Sequence, residues 1–174
     1  MRSVGGTIEL SAADLIGHLA CRHLTQLDLA VATGKEKAPK IWDPLLELLW
    51  ERGLAHERSY IEHLDASGFK IARIDGSGIE PKQLKDTADA MRAGVPIIVQ
   101  GALAHGCWRG RPDVLKRVER PSTLGAWSYE VIDTKLARET KSGTILQLCL
   151  YSDLLTRVQG AAPEQMYVVS PWLP

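Results

Sequence analysis

Trp127-Ser128-Tyr129-Glu130-Val131-Ile132-Asp133-Thr134-Lys135 is the stretch on which the fold turns. Its aromatic and β-branched residues predict a strand over 127–135. Side chains alternate along a strand, so Tyr129, Val131, Asp133 and Lys135 share one face, with Glu130 on the other. A face that is apolar, then acidic, then basic packs poorly as core and suits the rim of one. Twenty positions before Asp133 stands the chain's only Pro-Asp, in Gly110-Arg111-Pro112-Asp113. It falls within a second predicted strand, roughly 107–118.

Working outward, the apolar run VPIIVQGAL (95–103) predicts a further strand, joined to 107–118 by a hairpin turn at Ala104-His105-Gly106. Three strands in sequence with short connections predict antiparallel neighbours. A helix over 143–159 and a last strand over 165–169 follow, the latter reached by a crossover. Upstream, Asp43-Pro44 reads as an N-cap with proline at the first helical position. The helix it opens runs to about residue 66, where Gly68 ends it. Leu45, Leu49, Gly53, His56, Tyr60 and Leu64 fall on one stripe of this helix, and Gly53 leaves room for another element to approach. A short strand over 69–74 and a polar helix over 81–93 come next. Ser11 with Asp14 reads as a capping box opening a helix over 11–34. This order predicts an α/β fold, a mixed central β-sheet flanked by helices. We expect one domain over 1–174, with helix 11–34 an appendage to a core of about 43–170. The chain would be either self-standing or the front of a longer protein.

Composition sets bounds. Lys and Arg together number 21, as do Asp and Glu, so formal net charge is zero. That weighs against tight electrostatic capture of nucleic acid, which usually leaves a basic footprint. Cys21, Cys107 and Cys149 are far apart and form no Cys-x-x-Cys pair, so neither a zinc site nor a disulfide framework is suggested. Inert or buried thiols in a reducing cytoplasm are expected. No stretch is long and apolar enough to span a membrane, and no ATP-binding Gly-x-x-x-x-Gly-Lys-Ser/Thr loop occurs.

The strand ends carry the chemistry. Phosphodiester hydrolysis needs a hard divalent cation held by oxygen ligands, and a cationic group that offsets charge in the transition state. Asp113, Asp133 and Lys135 on neighbouring strands supply these, and they form the expected catalytic centre. The bland alternative is a surface ion pair between Asp133 and Lys135. An acidic residue two before a lysine also occurs at Glu80-Pro81-Lys82 and Glu139-Thr140-Lys141. Only Asp133-Thr134-Lys135 ends an apolar strand and follows a Pro-Asp.

Pro112-Asp113 and Asp133-Thr134-Lys135 resemble the signature of the PD-(D/E)XK nuclease superfamily. Gln147-Leu148-Cys149-Leu150-Tyr151, with Gln and Tyr on one helical face, resembles the feature of its RecB-like branch, as does Gly53-Leu54-Ala55-His56 on the upstream helix. The resemblance covers roughly residues 11–170. It implies a restriction-endonuclease-like core and a metal-dependent nuclease of DNA repair, recombination or defence, acting on single-stranded ends or flaps. It implies Mg2+ or Mn2+ held by His56, Asp113 and Asp133 with help from the Thr134 carbonyl. Lys135 would position the attacking water, and Gln147 and Tyr151 would hold the nucleic-acid strand or brace the site. DNA is the implied partner, with RNA also open, and a helicase or ATPase as a partner or fused domain. Part of this branch holds an iron–sulfur cluster through one early and three late cysteines; Cys21 could be the early one, but no late group follows, so no cluster is expected. Each role has a plainer alternative: His56 as a satisfied core histidine, Gln147 and Tyr151 as packing between helix and sheet. Glu57 could substitute for His56 as a ligand. The competing function is an inactive nuclease-fold module that binds nucleic acid or assembles with a helicase.

Overall fold

The computed structural model describes residues 1–40 and 42–171. In chain order the elements are β1 (Arg2–Val4), β2 (Thr7–Glu9), α1 (Ala12–Ala20), α2 (Arg22–Ala32), α3 (Pro44–Ala66), β3 (Ile71–Arg73), α4 (Pro81–Arg92), β4 (Ile97–Val99), β5 (Leu103–His105), β6 (Trp108–Gly110), β7 (Val114–Val118), β8 (Ser128–Thr134), α5 (Ser142–Gln159) and β9 (Met166–Val169). The central sheet has the order β3-β4-β7-β8-β9. β4, β7 and β8 are antiparallel neighbours, while β3 pairs with β4 and β9 with β8 in parallel. The expected mixed sheet flanked by helices is therefore present, and the last strand does return by a helical crossover.

Period-two alternation splits the core into two layers. Ile98, Leu115, Tyr129 and Val131 face α5, where Leu148, Leu154 and Leu155 meet them. Ile97, Val99, Val114 and Ile132 face α3 and pack on Ile61 and Leu64. Each such aliphatic side chain, fully buried, contributes about 1.5–3 kcal/mol. Covering both faces explains why β8 is buried at every position except Thr134.

Three expectations need correction. The runs 95–103 and 107–118 are not continuous strands. Gln100 takes a left-handed φ of 56°, and on the partner strand Pro112, next to the Asp113 that stands opposite Gln100, lacks the N–H that a ladder requires. Both strands bend there, and β5 and β6 leave the sheet as a separate hairpin. Its turn is Gly106-Cys107, between His105 and Trp108. The helix expected over 11–34 is two helices. Cys21 is extended (φ −156°, ψ 107°) and ends α1 while starting α2; His18 Nδ1 and Thr25 Oγ1, 2.8 Å apart, tie the corner. This segment is also stitched into the core, with Ala12 buried and Leu10 exchanging backbone hydrogen bonds with Cys107 and Arg109. Finally, a Cβ added at Gly53 would meet nothing within 4 Å, so no element approaches there.

The caps behave as read. Ser11 and Asp14 form the capping box, and the Asp43 side chain accepts from Leu45 N at 2.9 Å. Among the described residues no helix is long and apolar enough to cross a membrane. Cys21 and Cys149 are exposed and Cys107 half-buried, so the thiols are not core residues.

Candidate active site

The site forms where β7 and β8 end beside the bend. Val114 pairs with Ile132, so continuing the antiparallel register by one residue sets Asp113 opposite Asp133. Gln100 N donates to Asp113 O at 2.9 Å, holding that extra step in place. Asp113 Oδ2 accepts from both Thr134 N and Thr134 Oγ1 at 2.7 Å. One carboxylate oxygen thereby clamps the end of β8 and fixes the backbone between Asp133 and Lys135.

Asp133 is 1% exposed. A surface ion pair with Lys135 is therefore not the arrangement, although the two do pair through Asp133 Oδ2 and Lys135 Nζ. The other Asp133 oxygen, Oδ1, accepts from Gln147 Nε2 at 3.3 Å. Burial first, then repulsion from Asp113, raise the Asp133 carboxyl to about 6, with Lys135 opposing and Glu57 adding to the rise. A buried carboxylate beside a second carboxylate is costly to ionise, and the Lys135 ammonium relieves part of that cost.

Gln147 and Tyr151 are one helical turn apart on α5, and Gln147 Nε2 also donates to Tyr151 Oη at 3.1 Å. Gly110 lets the tyrosine lie against the backbone, since a Cβ there would come within 2.7 Å of its Cδ1. Both residues of the Gln-x-x-x-Tyr pair are thus joined to Asp133 through one amide.

From the opposite side, α3 contributes His56 and Glu57. His56 Nε2 sits 2.9 Å from the Val169 carbonyl. The same carbonyl receives Lys135 N at 3.0 Å, so α3, β8 and β9 are pinned at one point. Glu57 faces the carboxylates: burial pushes its carboxyl up, Asp113 adds to that, and Gln100, Arg111 and Lys135 oppose it. Glu130, on the other face of β8, accepts from Gln165 N and Tyr167 Oη and holds β9.

Two residues escaped the sequence reading. Gln100 Nε2 donates to Glu57 Oε1 at 2.6 Å, and its Oε1 accepts from Arg111 Nε at 2.8 Å. Arg111 then donates to the carbonyls of Gly78 and Ile74. A chain Glu57–Gln100–Arg111 therefore braces the site, and left-handed backbone at a residue other than glycine costs about 1–3 kcal/mol. Its trace in the sequence is a lone polar residue before glycine inside an apolar run, Val99-Gln100-Gly101.

Among the described residues, no three His, Cys, Asp or Glu side chains converge closely enough to hold an ion unaided. The donors present are still hard oxygens suited to Mg2+ or Mn2+, and magnesium is commonly held by one or two carboxylates with waters and substrate phosphate completing its shell. Comparison of the chain with protein-family models, curated proteins and solved structures finds no match.

Proposed function

We propose that this chain is a divalent-cation-dependent nuclease of the PD-(D/E)XK type, RecB-like branch, with a restriction-endonuclease-like core and a cytoplasmic location. The observation that carries the reading is Asp133: a carboxylate 1% exposed, set opposite Asp113 and paired with Lys135 at the end of β8. Burying Asp133 beside the half-buried Asp113 carries a desolvation and repulsion cost that an ordinary surface ion pair avoids.

Asp113 and Asp133 would hold Mg2+ or Mn2+, with the Thr134 carbonyl, and His56 is the further ligand that the resemblance implies. Such a cation supplies a polarised phosphate and a bound water of lowered pKa. Lys135 Nζ, next to Asp133, would orient the attacking water and offset negative charge developing on the phosphate oxygens. Gln147 holds the Asp133 carboxylate and also donates to the Tyr151 hydroxyl, whose pKa burial pushes up. DNA is the proposed substrate, with RNA the alternative, and a helicase or ATPase the proposed partner.

Zero net charge favours a second reading, an inactive module of the same fold that binds nucleic acid or assembles with a helicase. Cleavage of end-labelled single-stranded DNA with Mn2+ separates the two. The wild type should cut and EDTA should abolish cutting. Lys135→Ala should lose about 10²–10³ in rate, as when one transition-state donor is removed. Wild-type protein that takes up Mn2+ yet leaves the DNA intact would establish the inactive module instead.

A further inference from the structure

Two cavities flank the site, and their charges differ. The first, about 340 Å³, lies between the N-terminal strands, the loop at Ser77–Ile79 and Tyr151. Its cations are already satisfied. Arg2 and Arg109 both pair with Glu9, the Met1 amine pairs with Asp14, and Arg111 is spent on backbone carbonyls and Gln100. An incoming phosphate would have to displace these partners.

The second, about 300 Å³, runs between α3 and the β3–β4 pair. At one end it is walled by Glu57 and Gln100, the residues that brace the catalytic carboxylates. Its rim carries Arg58 from α3 and Arg73 from β3, and its floor is Ile61, Ile74 and Val99. Arg73 lies opposite Val99 in the parallel ladder. Arg58 follows Glu57 directly and precedes Ile61 by three, so the arginine, the acid and the floor share one side of the helix. Both arginines are exposed. Unlike Arg2 and Arg109, neither is engaged by a carboxylate among the described residues.

We propose that this cleft is the backbone subsite for the nucleic-acid strand next to the scissile bond, with Arg58 and Arg73 on its phosphates and the apolar floor beneath the sugar and base. The inference rests on the nuclease reading and gives it a direction: the strand leaves the carboxylates on the α3–β3 side, past Glu57 and Gln100. A guanidinium offers a planar fork of donors that matches a phosphate, and two of them on opposite walls set the register of a strand without reading its bases. The subsite also reconciles a neutral chain with a polyanionic substrate. Local unpaired cations over an apolar floor do the work that a basic surface does elsewhere.

The test is fluorescence anisotropy of a short fluorescein-labelled single-stranded oligonucleotide in EDTA, so that binding is read without cleavage. Variants are Arg58→Ala, Arg73→Ala and the pair, with Arg157→Ala on α5 as the control, since Arg157 is an exposed arginine partnered by Asp153. Each cleft variant should bind roughly three- to tenfold more weakly and the control like wild type. The pair should lower the slope of log K against log salt by about 1.4, at 0.7 per phosphate contact on a single strand. In the Mn2+ cleavage assay the same variants should raise KM and leave kcat near wild type, since the lost contacts are equal in ground and transition states. A double variant that binds with wild-type affinity and salt slope overturns the subsite, as does wild type that fails to bind at low salt. Arginine-dependent binding in a chain that never cuts would leave the subsite standing and refute only the nuclease.

Discussion

The two ends of α3 are written in similar residues and meet opposite surroundings. In the N-terminal half, Leu45, Leu46, Leu48, Leu49, Trp50 and Leu54 are between 41% and 66% exposed. In the C-terminal half, Ile61 and Leu64 are 5% and 8% exposed and pack on Ile97, Val99, Val114 and Ile132. Length explains the difference. At 1.5 Å per residue the 23-residue helix is about 35 Å long. The longest strand, β8 with seven residues, spans about 23 Å. The helix outruns its sheet, and the overhanging turns keep their leucines in solvent. Apolar spacing therefore names the face of a helix that could be buried; what lies beneath decides whether it is.

The sharpest way to break this comparison is a pair of truncations. Ile61→Ala should cost about 2–4 kcal/mol, the usual range for deleting a buried aliphatic side chain. Leu45→Ala, on the overhang, should stay within about 0.5 kcal/mol. Urea denaturation of both variants decides it, and equal losses would mean the overhang is packed against something in solution.

The C-terminal half of α3 does not only stabilise. Glu57, one turn before Ile61, adds its charge to the cluster that raises Asp133 to about 6, from an ordinary 3.8. A raised carboxyl pKa means that the ionised form is penalised in the folded state. The protein accordingly loses stability as pH climbs from near 4 through 6, and the loss is complete above that. Asp133→Asn removes the penalty. Without divalent cations, the variant should be more stable than wild type by about 1–3 kcal/mol at pH 8, allowing 1.36 kcal/mol per pKa unit and partial relief by Lys135. The gap should close toward pH 4. Mg2+ should raise the wild-type melting temperature at pH 8 and leave the variant unmoved. A variant no more stable than wild type at pH 8 would show that Lys135 already neutralises the buried charge.

How far the sequence reached follows the same logic. β8 and the Asp-Thr-Lys at its end were legible because alternation and charge coincide on seven residues, and α3 because Asp43-Pro44 and Gly68 mark its ends. Strand order placed Asp113 and Asp133 on neighbouring strands; that they stand opposite each other depends on the register Val114↔Ile132, which no local window contains. The N-terminal hairpin, β1 with β2, was not read, because two strands of three exposed or half-buried residues carry no apolar pattern. The corner at Cys21 lacks proline and glycine and is set by contacts between α1 and α2. The bend at Gln100 is a tertiary choice, held by Glu57 from α3 and Arg111 from across the ladder, which no local window contains. His56 was readable as a helical position, but its bond to the Val169 carbonyl depends on β9 arriving by crossover.

Gly53 marks the boundary between the two halves of α3, and it gives the smallest and cleanest test. Glycine inside a helix is destabilising by about 0.5–1 kcal/mol relative to alanine because the unfolded chain has more freedom to lose. A close neighbour would forbid the replacement; here an added Cβ has open space to at least 4 Å. Gly53→Ala should therefore stabilise the protein by about 0.4–1 kcal/mol in urea denaturation, without changing the denaturant slope. A loss of stability instead would place another surface against Gly53, and would extend the packed half of α3 one turn toward its overhanging leucines.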